Sequence, residues 1–258
     1  MKRILLAVAL VLAGCSGSSG DAPSGTQAAG YCAFGQTSSL FLIDQTTPYD
    51  DTDRAVITES IGTVVDQLGP GDRIVLATIG EHYTQSSRLI NACKPGCPEG
   101  QQGALDSMMG GCSSMKALAD ERQFMGQLAQ TLAPAVQGSA SADHSAIMST
   151  IAQWTQAPPG DQPFDHVYIF SDMLENSQAV PWSEFRSMEP DAAMVAAERF
   201  RYLPAVQGAD VRIVGFGRSH NPGRPPLDPE LDARLRGFWT DYFRAGGASV
   251  TFEGAIRN

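Results

Sequence analysis

The chain has 258 residues, 43% of them hydrophobic, which is enough to bury the core of a sizeable domain. It is acidic, with 28 Asp and Glu against 18 Lys and Arg and a formal net charge of −10. An acidic chain with no basic stripe repels nucleic acid, so we expect no nucleic-acid partner.

The start of the chain has the pattern of an export signal. A basic pair, Lys2-Arg3, precedes an apolar run at 4–12, and Leu12-Ala13-Gly14-Cys15 follows. The apolar run is shorter than the about 20 residues that a membrane-spanning helix needs. The last four residues resemble the lipobox of bacterial lipoproteins. That resemblance implies removal of a signal peptide at 1–14 and lipidation of Cys15, which would anchor the protein in the bacterial cell envelope.

A tether and a single domain are predicted after the lipidated cysteine. Residues 15–34 are interpreted as the lipidated Cys15 and a flexible tether, because residues 16–30 carry no large apolar side chain. Ser16 resembles the sorting signal for the outer membrane, which implies the periplasmic side of that membrane in a Gram-negative host. The composition from 35 to 258 is that of one globular domain.

The remaining cysteines predict two disulfides. They are Cys32, Cys93, Cys97 and Cys112. An even number of cysteines in an oxidising compartment favours disulfides, and the spacings do not match the paired Cys-x-x-Cys of zinc sites. Three pairings are possible, and the sequence does not choose among them. The last three cysteines lie in a Gly-, Met- and Cys-rich insertion near 86–117.

Strands and helices alternate along the domain. Apolar runs typical of buried strands lie at 39–43, 73–79, 166–170, 210–216 and 248–252, and an edge strand is expected after 86. Helical spacing predicts helices at 53–68, 118–132, 141–156 and 191–203, and from Asp228 to the Gly246-Gly247 pair. This alternation predicts an α/β fold, a doubly wound and mostly parallel sheet with helices on both faces.

Two carboxylates follow strands of the predicted sheet. Asp44 ends the first strand with Thr46 two residues on, and Asp172 follows the strand at 166–170. Ligands of such sheets bind beyond the carboxyl ends of the strands, where the strand order reverses. With the common order 3-2-1-4-5-6, both carboxylates lie at that point, and oxygen donors there suit Mg²⁺. The alternative is that each Asp caps the next helix or turn.

The same residues resemble the motifs of the von Willebrand factor A-type (VWA-like) domain. That family forms a metal-ion-dependent adhesion site from Asp-x-Ser-x-Ser after the first strand, a Thr in a later loop and an Asp after the fourth strand. Asp44-Gln45-Thr46-Thr47-Pro48 stands at the first motif, and Phe170-Ser171-Asp172 at the last. The resemblance implies metal ligands Asp44, Thr46, Ser141 and Asp172, with Ser141 in the Thr position. Pro48 departs from the family pattern because it has no hydroxyl.

The resemblance implies a membrane-anchored binding or scaffold lipoprotein outside the cytoplasm rather than an enzyme. We expect it to engage a protein partner in the cell envelope through a bound Mg²⁺ that accepts an acidic residue of the partner. Glu175 and Asn176 are further candidates for contacting that partner. One alternative is a phosphatase or hydrolase of the haloacid-dehalogenase type with Asp44 as nucleophile, although Thr46 stands where that family has its second Asp. The other is a scaffold whose degenerate site has lost its metal.

Overall fold

A six-stranded sheet forms the centre of the computed structural model, which describes residues 28–100, 112–137, 142–218, 227–254 and 256. The strands are β1 (Ser38–Asp44), β2 (Arg73–Ile79), β3 (Arg88–Cys93), β4 (His166–Phe170), β5 (Asp210–Val214) and β6 (Ser249–Glu253). Their order is β3-β2-β1-β4-β5-β6, with β3 antiparallel to β2 and every other pair parallel. The predicted α/β class and strand order are confirmed.

Helices cover the sheet on both faces. They are α1 (Asp51–Gln67), α2 (Ser114–Ala135), α3 (Ile147–Gln156), α4 (Trp182–Phe185), α5 (Pro190–Arg199) and α6 (Pro229–Ala245). Leu40 and Leu42 of β1 pack in one apolar cluster with α3, α5 and α6, while Phe41 and Ile43 pack in a second cluster with α1 and α2. Because both faces are buried, the strands are continuous apolar runs. Among the described helices, none is long and apolar enough to cross a membrane.

Side-chain caps start two of the longer helices. Asp50 and Asp53 form a capping box at α1, in which the Asp53 amide donates to Asp50 at 2.8 Å and the Asp50 amide donates to Asp53 at 3.3 Å. Asp228 caps α6 by accepting from the Leu231 amide at 2.9 Å, and Pro229 occupies the first turn. Asp50 and Asp53 therefore stabilise the start of α1.

The start of α3 corrects a prediction. The helix begins at Ile147 and not near 141, so His144 is not in its first turn. The backbones of Ser145 and Asn176 exchange two hydrogen bonds, of 3.0 and 2.9 Å, and these hold the preceding segment against the loop after β4. Ser141 lies outside the described residues.

Two disulfides, Cys32–Cys93 and Cys97–Cys112, resolve the pairing that the sequence left open. A short 3-10 helix at Ala28–Ala33 precedes β1, and in it Tyr31 is buried and donates to Asp120 at 2.8 Å. Tyr31 is therefore packed against the domain, and Cys32 is bonded to it, although both fall in the segment predicted as tether. Cys15 and the signal peptide at 1–14 lie outside the described residues.

The N-terminal segment joins the sheet at one particular end. β3 runs antiparallel, so Cys93 pairs with Arg73 at the amino-terminal end of β2. The disulfide from Cys32 therefore fastens this segment to the amino-terminal end of the parallel strands. Asp44, the last residue of β1, lies at the opposite end.

Candidate functional site

Asp44 is the centre of the candidate site, which lies at the carboxyl ends of β1 and β4. Its side chain is completely buried. One carboxylate oxygen, Oδ1, accepts from the Thr46 amide at 2.9 Å and from the Thr46 hydroxyl at 2.6 Å. The other, Oδ2, accepts from the Ser171 hydroxyl at 2.6 Å. The turn after β1 thus folds around Asp44, as Asp commonly bonds the backbone two residues on.

The charge of Asp44 has no protein counterion among the described residues. None of their ion pairs includes it. Burial raises the pKa of Asp44, and the hydrogen bonds from Ser171 and Thr46 oppose that shift. A buried carboxylate of this kind is stabilised either by keeping its proton or by a cation from solution.

Ser145 joins this network, and the predicted ligand Ser141 lies outside the described residues. The Thr46 and Ser145 hydroxyl oxygens are hydrogen-bonded at 2.7 Å, and Ser145 is buried. The segment at 139–145 holds several serines, and sequence spacing alone gives no reason to prefer one. The backbone pairing of Ser145 with Asn176 places Ser145 beside Thr46.

Asp172 lies two residues beyond the end of β4, the strand that pairs with β1. Tyr49 is buried at the same edge, and its hydroxyl donates to the Phe170 carbonyl at 2.9 Å. The pKa of Tyr49 is raised well above its usual value, first by burial and then by the negative charges of Asp44, Asp172 and Asp53. The structure therefore brings the two predicted carboxylates, Asp44 and Asp172, to one face.

Met173, next to Asp172, has a backbone conformation rare for its type. Its φ is 60°, in the left-handed region, and its side chain is buried. Its amide donates to the Ser171 hydroxyl at 2.9 Å, and its carbonyl accepts from the Trp239 indole at 3.0 Å. Such strain persists where surrounding contacts fix it, and it concentrates at functional sites.

Two further groups flank the network. Asp53, buried, forms an ion pair with Arg218, and both line a small cavity with Tyr49. His144 precedes Ser145 in the chain, and its ring lies 6.0 Å from that of His82 between centroids. Arg218 therefore lies beside Ser171 of the network, since both line the same small cavity.

The prediction that Glu175 contacts a partner is wrong. Glu175 is completely buried and accepts from the Met148 amide at 2.8 Å. The side-chain amide of Asn176 is also used internally, since it donates to the Asp143 carbonyl at 2.7 Å and accepts from the Trp182 amide at 2.9 Å. Glu175 faces the interior, and Asn176 is half-buried, because the loop after β4 packs on the start of α3.

The donor chemistry of the site suits a hard cation. Within the described ranges, no group of three or more His, Cys, Asp or Glu side chains is arranged to hold a metal ion. This edge of the sheet offers the Asp44 carboxylate with its hydroxyl partners and the Asp172 carboxylate, whose Oδ1 accepts from the Leu174 amide at 3.0 Å, and such oxygens are the donors that Mg²⁺ prefers. The acidic donors are Asp44 and Asp172, and the hydroxyls are Thr46, Ser145 and Ser171. The buried charge of Asp44 is the feature that a bound cation would neutralise.

Comparison with known proteins assigns no family. No protein-family model matches the chain, and no curated protein matches it. The strand order is common to Rossmann-like doubly wound sheets, so it defines the fold class. Fold and site together define a doubly wound α/β protein with an oxygen-rich network at its strand ends.

Proposed function

We propose that the protein is a binding or scaffold lipoprotein of the bacterial cell envelope, anchored through Cys15, whose VWA-like domain engages a protein partner at the strand ends. The observation that carries this proposal is the buried Asp44 carboxylate. Each of its oxygens accepts a hydrogen bond from a hydroxyl group, and no ion pair of the described residues includes it. Two disulfides are consistent with a place outside the cytoplasm.

A divalent cation, most naturally Mg²⁺, is the proposed link between protein and partner. The residues that would hold it are Asp44, Thr46, Ser145 and Asp172. Bound there, it would neutralise the buried carboxylate and leave a coordination position for an acidic side chain of the partner. It would also offset the repulsion that the net charge of −10 exerts on an acidic partner.

The proposed site points away from the proposed anchor. The N-terminal segment is fastened by Cys32–Cys93 to the amino-terminal end of the sheet, whereas Asp44 is at the carboxyl end. β1 has seven residues and separates the two ends by about 20 Å. A partner in the aqueous space beyond the membrane surface fits this arrangement best.

The phosphatase alternative has little support from the site. The residue two positions after Asp44 is Thr46, so the carboxyl that would act as general acid in that family is missing here. No second function is therefore proposed.

The cation site is tested by unfolding the purified protein in EDTA and in Mg²⁺ or Mn²⁺. A cation at 100 times its dissociation constant should add about 2.7 kcal/mol to the free energy of unfolding. Asp44→Ala should abolish that gain. Asp51→Ala should keep it, because Asp51 is fully exposed in the same region and outside the network. Equal gains in both variants would contradict the proposal, and no gain with either ion would favour the metal-free scaffold.

Partner binding at the strand ends is tested by photo-crosslinking in cells. A crosslinking residue at Tyr83, which is 46% exposed just beyond β2, should give a partner adduct that Asp44→Ala removes. The matched position is Asp161, exposed near the amino-terminal end of β4, which should give no such adduct. Adducts that survive Asp44→Ala would contradict a role for the network in partner binding.

A further inference from the structure

Glu175 is a buried acid that the proposed site does not use. It lies in the loop after β4, three residues from Asp172, and is completely buried. Its Oε2 accepts from the amide of Met148, in the first turn of α3, at 2.8 Å. Its Oε1 has no hydrogen-bond partner among the described residues. The N-terminus of a helix favours a negative charge, so the ionised form of Glu175 binds α3 more strongly than the neutral form.

The groups that face Glu175 do not neutralise it. They are Tyr242 of α6 and Tyr202 of the segment after α5, and the pKa of each is raised by burial and then by the charge of Glu175. No ion pair of the described residues includes Glu175. Burial raises the pKa of Glu175 to about 7. Its charge therefore changes near neutral pH.

The contacts of Glu175 lead directly to the candidate site. Met148, which it binds, is three residues from Ser145, and the next residue in the loop, Asn176, pairs with the backbone of Ser145. The hydroxyl of Ser145 in turn lies 2.7 Å from that of Thr46. The loop after β4 thus holds the segment before α3 at two points, and this segment presents one hydroxyl of the site.

We propose that Glu175 is a positioning residue, which when ionised holds the start of α3, and with it Ser145, in the geometry of the strand-end site. When protonated, Glu175 holds the segment less firmly, because a charge-assisted hydrogen bond becomes a neutral one. The affinity of the site for a cation therefore falls as the pH falls through neutrality. This pH dependence of cation affinity rests on the proposed cation site. The hydrogen bond between Glu175 and the start of α3 does not.

The experiment compares the protein with its Glu175→Gln variant, which keeps the shape of the side chain and removes its charge. Mn²⁺ affinity is measured for both at pH 6, 7 and 8. We expect wild type to bind about threefold to tenfold more tightly than Glu175→Gln at pH 8, and equally at pH 6. Asp44 competes for protons in both proteins, so the ratio of their affinities isolates Glu175. The Met148 amide resonance should titrate near pH 7 in wild type and not in the variant.

A second variant tests whether Glu175 or the imidazoles of His82 and His144 cause the pH dependence of the affinity. Histidine also changes charge near neutrality, so His82→Gln with His144→Gln is the matched control. When Mn²⁺ affinity is compared with and without Glu175→Gln in this double variant, the ratio should depend on pH as it does in the wild-type background. The inference is overturned if the double variant loses that dependence, if the ratio is constant with pH, or if the Met148 amide does not titrate. A wild-type protein that binds no Mn²⁺ at any pH would instead overturn the proposed function, while the Met148 titration would still test Glu175.

Discussion

The buried charged groups at the two ends of the sheet differ in how fully hydrogen bonds satisfy them. At the amino-terminal end, Asp72 and Lys94 are surrounded by backbone partners. Asp72 accepts three amides, from Gln36 at 2.9 Å, Thr37 at 3.0 Å and Gly69 at 2.8 Å. The Lys94 ammonium donates to three carbonyls at the end of α1, those of Val65 at 2.8 Å, Asp66 at 3.0 Å and Leu68 at 2.8 Å.

At the carboxyl end the buried charges are less well satisfied. Burial raises the pKa of both Asp44 and Glu175, whereas at Asp72 the backbone hydrogen bonds outweigh burial and lower the pKa. Met173, with its left-handed backbone, lies at the same end. The charged groups at the amino-terminal end thus stabilise the fold, while those at the carboxyl end are the groups whose interactions the proposed cation would complete. Proteins accept such local costs where they bind.

Breaking the Cys32–Cys93 disulfide tests the stabilising role of the amino-terminal end with the largest expected effect. Its cysteines are 61 residues apart, so replacing both by Ala should lower the free energy of unfolding by about 4 kcal/mol. The Cys97–Cys112 pair, 15 residues apart, should cost about 3 kcal/mol. Urea unfolding measures both. Mn²⁺ affinity should survive the first replacement, and its loss would mean that the two ends are not independent.

Asp72→Ala should have the next largest effect, about 3 kcal/mol, because it leaves three amides without their charged acceptor. The folded pKa of Asp72 is lowered, so its stabilisation is complete above the unfolded pKa and is lost as the pH falls through the folded value. The isosteric Asp72→Asn should therefore approach wild type in acid and fall below it at pH 7. Urea unfolding at pH 3 and pH 7 measures this, and a difference that does not change with pH would contradict the assignment.

Local sequence patterns predict the amino-terminal end and the strands better than they predict the site. The bounds of β2 and β4 follow from continuous apolar runs bordered by polar residues. Asp44 and Asp172 could be predicted because any residue directly after a parallel strand lies at the ligand-binding edge. The start of α3 could not be predicted, because a backbone pairing with Asn176, distant in the chain, replaces its first turn.

The remaining parts of the site depend on tertiary contacts. A glutamate in a polar loop is usually exposed, and only the packing of that loop on α3 buries Glu175. Ser145 is one serine among several until the loop after β4 selects it. The disulfide pairing likewise follows from the antiparallel direction of β3, which brings Cys93 to the entry of the N-terminal segment. No local pattern in the sequence carries any of these three facts.

Asp44→Asn should have the smallest effect on stability, and the opposite sign. The folded pKa of Asp44 is raised, so its contribution to stability is complete below the unfolded pKa and is lost as the pH rises through the folded value. The variant does not titrate, and in EDTA its free energy of unfolding should therefore rise relative to wild type as the pH is raised through the folded pKa of Asp44.

The same variant should lose the stabilisation that Mn²⁺ gives to the wild type, since the carboxylate that would hold the cation is gone. Removing one charge at each end of the sheet then gives opposite results: Asp72→Ala weakens the fold, and Asp44→Asn weakens binding alone. Urea unfolding of both variants, with EDTA and with Mn²⁺, makes the comparison. If Asp44→Asn in EDTA lowers the free energy of unfolding as much as Asp72→Ala does, the hydroxyl network around Asp44 stabilises the fold. The proposed contrast between a stabilising end and a binding end would then be wrong.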